Sequence, residues 1–199
     1  LASCRDPPYR RRKVTMTSPA PTPRIDLVPL ADADRPTWLV RMEASFAAGV
    51  RDAGLQPGEQ PIPKAAEMQE ELDAPGTEAL QIVRDGVVVG GAAVSGLDEG
   101  RRNLELFFID AGHHGGGIGS RAWEAIEARY PDTEVWETDT PYFEQRNIHF
   151  YINRCGFHAV EFFHPGHRRE HRDGQHDGDH DGGPDRMFRF EKRMPGARR

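Results

Sequence analysis

The chain has 199 residues, 37% of them hydrophobic, and a formal net charge of −6 at pH 7. It contains no run of eighteen apolar residues, so no membrane-spanning helix is expected, and its acidic balance argues against nonspecific nucleic-acid binding. Cys4 and Cys155 are its only cysteines, which excludes a disulfide framework and fits a reducing, cytoplasmic compartment.

Residues 1–22 combine Arg5, Arg10, Arg11, Arg12 and Lys13 with a Pro-rich stretch after Met16, and no apolar segment follows the basic one. That is unlike a secretory signal. They are expected to form a disordered lead, followed by one domain over 23–193 and a tail over 194–199. Alternation over 25–30 reads as a first strand. Asp32 and Asp34 can then cap a helix whose apolar stripe is Leu39, Met42, Phe46 and Val50, with Gly54 at its end. A Pro- and Gly-rich loop over 55–63 precedes a shorter helix over 64–72. The apolar runs 79–83 and 87–94 flank Arg84-Asp85-Gly86, a strong hairpin signal. A turn at Asp98-Glu99-Gly100 leads to a further strand over 104–110.

Next comes His113-His114-Gly115-Gly116-Gly117-Ile118-Gly119-Ser120, and Ile118, Ala122, Trp123, Ile126 and Tyr130 recur at helical spacing. Residues 134–138 read as a strand. Thr140 can cap another helix, with Pro141 at its first position, running to about Arg154. Strands over 157–163 and 187–190 close the order β-α-α-β-β-β-α-β-α-β-β. The expected fold is therefore mixed α/β (α+β), a mostly antiparallel central sheet flanked by helices. Trp123, Trp136 and Phe150 read as core, Cys155 as a small buried hydrophobe, and His149 as solvated.

Side-chain-poor backbone opening a helix makes a phosphate cradle, because uncovered amides and the helix dipole both favour an anion there. The loop over 115–120 fits that description and points to a phosphorylated cofactor. Gly117, Gly119 and Ala122 also fit the dinucleotide fingerprint G-x-G-x-x-A, with Glu137 about twenty residues on, which would suit an NAD(P)-dependent oxidoreductase. Against that reading, residues 111–116 separate the strand from the first glycine, and the preceding hairpin breaks the βαβαβ series that fold requires.

Asn147, Tyr151 and Gly156-Phe157 follow in order, and with His114 to Gly119 they resemble the GNAT acyltransferase superfamily over about residues 24–192. That family moves an acyl group from acyl-CoA to an amine, and its loop motif is Gln/Arg-x-x-Gly-x-Gly/Ala. Gly117 and Gly119 match its two glycines, while His114 departs from its first position. The resemblance implies a GNAT-like domain with acetyl-CoA as co-substrate, held by His114, Gly115, Gly116, Gly117, Ile118, Gly119 and Ser120. It implies main chain of Phe107, Phe108 and Ile109 along the pantetheine arm, with a strand bulge near 108–110 exposing amides for an oxyanion. It also implies cofactor contacts from Asn147 and Tyr151, which are four residues apart and expected on one helix face.

A primary amine must lose its proton before it attacks a thioester, and a carboxylate can take that proton. Glu105 and Glu137 are the candidate bases, and Tyr151 is the candidate acid for the leaving thiolate. By strand alternation Glu105 shares a face with Phe107 and Ile109. The acceptor, a small-molecule or peptide amine, is expected to be shaped by Trp38, Glu43, Phe46 and the 164–167 turn. A non-catalytic acyl-CoA-binding module is the third reading, and homodimerisation is implied by the resemblance alone. The tract 164–185 is rich in His and Asp, but no spacing in it matches a closed zinc site, so a polar loop and no metal are expected.

Overall fold

The computed structural model describes residues 24–56, 62, 64–98, 100–167 and 186–197. The basic lead, the tail end at 198–199 and the His/Asp tract beyond His167 up to 185 lie outside the described residues. Strands β1 (Ile25–Pro29), β2 (Thr77–Arg84), β3 (Val87–Asp98), β4 (Arg101–Ile109), β5 (Val135–Pro141), β6 (His158–Phe163) and β7 (Met187–Arg193) form one seven-stranded sheet in the order β1-β2-β3-β4-β5-β7-β6. Helices α1 (Arg35–Asp52), α2 (Ala65–Asp73), α3 (Ile118–Arg129) and α4 (Gln145–Phe150) flank it, and a π-helical turn over Tyr151–Cys155 extends α4. Every neighbouring pair is antiparallel except β4 and β5. Among the described residues the parallel series required by a dinucleotide-binding fold is therefore absent, and the oxidoreductase reading falls with it.

Local signals explain much of this. Asp85 at φ 50° and Gly86 at φ 84° make the two-residue turn that pairs β2 with β3. The α3 stripe buries Ile118, Ala122, Trp123 and Ile126 against Val94, Leu104 and Trp136 on one face of the sheet. On the other face α1 and α2 bury Trp38, Leu39, Met42 and Leu72 against Ala93, Leu106 and Phe108. Each such large side chain contributes roughly 1.5–3 kcal/mol of apolar burial.

Two expectations fail in the second half. Thr140 and Pro141 do not open a helix; they end β5, paired with Phe188 and Met187 of β7. The proline sits at the strand terminus, where its missing N–H is tolerated. The strand bulge lies at Glu105, not near 108–110: Ala93 pairs with Leu106 and Val94 with Leu104, leaving Glu105 unopposed. The extra residue reverses the alternation. Leu104 joins the α3 side of the core, whereas Leu106 and Phe108 join the α1 side.

Candidate active site

Strands β4 and β5 pair over only three positions, Arg101 to Asn103 against Val135 to Glu137, and then part. Thr138 donates its hydroxyl to Leu104 O at 2.9 Å in the fork. Beyond it β4 runs on to Ile109 with β3 on one side only. Asp110 N donates to Val89 O, so by ladder alternation Phe107 and Ile109 turn their N–H and C=O groups to the edge that β5 has left. A cleft of about 880 Å³ opens there, lined by α1, the end of β4, the glycine loop, the start of α3 and α4.

The loop needs its glycines. Gly115, Gly116 and Gly117 have φ of 104°, 58° and 72°, a run of left-handed backbone that side chains resist. Nothing lies within 4 Å of a Cβ built on Gly115 or Gly116, so this backbone is open to a ligand. Gly119 answers a different need: a Cβ there would sit 3.2 Å from Phe150 Cε2, so its absence lets α3 approach α4. The Phe150 ring stacks on Phe107 at 5.6 Å across the fork. His114 Nε2 lies 2.7 Å from Ile109 O. A carbonyl only accepts, so Nε2 carries the proton and the imidazole ties the loop to the strand end. Bare amides at the N-terminus of the twelve-residue α3 suit a pyrophosphate. The site thus fits the acetyl-CoA that the motif implies.

Opposite the loop stands a residue that sequence reasoning missed. Glu144 caps α4, its carbonyl accepting from Ile148 N at 3.0 Å, and it is buried with 6% exposure while lining the cleft. Asn147 Nδ2 donates to its Oε2 at 2.8 Å, and Oε1 has no hydrogen-bond partner among the described residues. Burial raises the Glu144 pKa above the ordinary carboxylate value; Arg146 opposes the rise and Asp52 adds to it. A carboxylate made more basic in a cleft is suited to taking a proton. Gly49 on α1 faces it, with no side chain to cover Oε1. The only local signal was a carboxylate at a helix start three residues before Asn147.

The expected residues divide. His114, Gly115, Gly117, Ile118, Gly119, Ser120, Asn147, Phe107, Phe108 and Ile109 line the cleft together, and Gly116 lies within the same loop. Glu105, Glu137 and Tyr151 are not brought to its wall. Glu105 accepts from Ser95, which shares a sheet face with Ala93 on the α1 side, so the shared face with Phe107 and Ile109 is lost at the bulge. Glu137 is buried at the fork and engaged by Arg101, whose Nε donates to Oε1 at 2.9 Å. Tyr151 is core: its ring packs on Phe157 and Phe190, its hydroxyl meets Thr138, and burial raises its pKa. The cleft face of α4 is instead Asn147, Phe150 and Arg154, an i, i+3, i+7 stripe, so Phe150 serves the site as well as the core. His149 is exposed at the cleft rim. Of the expected acceptor wall Phe46 lines the cleft, while Trp38 is core, Glu43 accepts from Ala65 N at 2.5 Å, and the 164–167 turn lies elsewhere.

A sequence model of the acetyltransferase (GNAT) family matches residues 48–157. The chain is 42% identical over 175 residues to YrkN, an uncharacterised protein of Bacillus subtilis (strain 168), covering 86% of this chain and 95% of that one. The fold is similar to the ribosomal-protein-S18-alanine N-acetyltransferase from Escherichia coli, with a TM-score of 0.62, 12% identity, and coverage of 87% of this chain and 97% of that chain. It is also similar to a GNAT family acetyltransferase from Elizabethkingia anophelis solved with acetyl-CoA bound, with a TM-score of 0.57, 9% identity, and coverage of 85% and 98%.

Proposed function

Since the chain belongs to the acetyltransferase (GNAT) family, we propose that it is an N-acetyltransferase that passes the acetyl group of acetyl-CoA directly to a primary amine held against Glu144. The observation that carries this reading is Glu144: buried, raised in pKa, with one carboxylate oxygen open to the cleft that the glycine loop borders. Acetyl-CoA supplies a thioester carbonyl. The loop over 115–120 and the α3 N-terminus hold its pyrophosphate. Phe107 and Ile109 offer main-chain N–H groups along the open edge of β4, placed to favour negative charge developing on the carbonyl oxygen.

Glu144 Oε1 takes the proton of the acceptor ammonium, and the neutral nitrogen forms the new N–C bond as the C–S bond breaks. Asn147 holds Oε2, so the free oxygen keeps a fixed direction. The second proton, released by the nitrogen after attack, leaves with the thiolate or to solvent. Phe46, Gly49 and Asp52 on α1, together with Gln145 and Arg146, form the acceptor wall, and the amine-bearing molecule enters past them.

Glu144→Gln tests the reading. With acetyl-CoA and a panel of primary amines and N-terminal peptides, free-thiol release should fall roughly 100- to 10,000-fold, the worth of a general base. Binding of CoA should be unchanged. A variant that turns over like wild type overturns the assignment.

A further inference from the structure

The α4 wall of the cleft has an order. Glu144 stands at its first end, Asn147 and Phe150 follow on one face, and Arg154 comes a turn later. Roughly 15 Å of helix rise separates Arg154 from Glu144. The phosphate-binding loop meets α4 between these two, where Gly119 approaches the Phe150 ring.

The other arginines near the cleft are engaged. Arg146 pairs with Asp52 at 3.3 Å, Arg121 donates to Gly116 O at 2.7 Å, and Arg41 is bound to Asp110 and Val88 O. Arg154 is exposed, lines the cleft, and makes no hydrogen bond or ion pair among the described residues. A guanidinium in that state offers a fork of donors suited to a phosphate.

Acetyl-CoA carries negative charge in two places, its pyrophosphate and a phosphomonoester on the 3′ oxygen of the ribose beyond it. On the proposed placement, with the thioester at Glu144 and the pyrophosphate on the loop, the same direction along α4 leads past Phe150 to Arg154. We infer that Arg154 binds the ribose 3′-phosphate and makes the site select acetyl-CoA over its 3′-dephosphorylated form. The inference rests on the acetyl-CoA reading above. It adds a specificity residue, because the loop holds a pyrophosphate that both forms share.

The test is calorimetric titration of the full chain with CoA and with 3′-dephospho-CoA. Wild type should bind CoA about tenfold or more tightly than the dephospho form, the scale of one charge-assisted contact. Arg154→Ala should weaken CoA by about tenfold and leave dephospho-CoA unchanged. Arg154→Gln, which keeps more of the side-chain bulk, should behave like the alanine variant. Equal affinity of wild type for both ligands, or equal weakening of both by Arg154→Ala, overturns the inference and leaves the acetyl-CoA reading standing. Failure of wild type to bind either ligand overturns both.

Discussion

Replacing Gly49 by alanine should separate activity from stability. A Cβ built on Gly49 lies 2.9 Å from Glu144 Oε1, 3.3 Å from Oε2 and 3.4 Å from Cδ. Carbon contacts relax near 3.5 Å, so the carboxylate must retreat by roughly half an ångström. It is the free end of a side chain, and the fold can adjust cheaply. Alanine is also about 1 kcal/mol better than glycine inside a helix, which would raise Tm by about 2–4 °C in a chain of this size. Activity should move the other way. A base misplaced by about 1 Å costs on the order of 100-fold, so half that shift costs about tenfold in kcat. The added methyl also deepens the burial of Glu144. Its pKa rises further, and the acidic limb of the kcat–pH profile moves to higher pH, because the base must be ionised to act. Steady-state CoA release at saturating acetyl-CoA, paired with thermal unfolding, reads both effects. Unchanged kcat beside a raised Tm would refute Glu144 as the base. A lowered Tm would refute the packing argument at Gly49.

Folding raises the Glu144 pKa, so the folded state binds that proton more tightly and wild-type stability grows as pH falls through the folded value toward the unfolded one. Urea denaturation should therefore find Glu144→Gln more stable than wild type at pH 7, with the advantage shrinking on acidification; a pH-independent difference would contradict the burial. Tyr151→Phe should lose about 1 kcal/mol of stability with its buried hydroxyl contact and less than tenfold in kcat. A loss of 100-fold or more would restore Tyr151 as the acid. Cys155 is buried, and burial pushes its thiol pKa up to about 12. In a Cys4→Ala background a disulfide reagent should label it only as fast as the fold opens, and rapid labelling of the native protein would show the thiol exposed.

Some features are decided within a few residues of chain. The Asp85-Gly86 turn, the α3 stripe, the three left-handed glycines and the stretch of β4 leading into them follow from local conformational preference and periodicity, and all were legible in the sequence. The glycine loop proposed to hold the cofactor was legible for the same reason, since a phosphate cradle is backbone at a helix start. The base was not. Glu105 and Glu137 sit on strands facing the right region in sequence terms, but a one-residue bulge turns the first toward Ser95 and Arg101 captures the second. The end of β5 at Pro141 depends on pairing with β7, far along the chain. The character of Glu144 depends on α1, which lies far from it in the chain, packs beside it and leaves room through Gly49. A carboxylate's basicity is set by how much water its neighbours remove, and those neighbours are chosen by tertiary packing, not by the residues beside it in the chain.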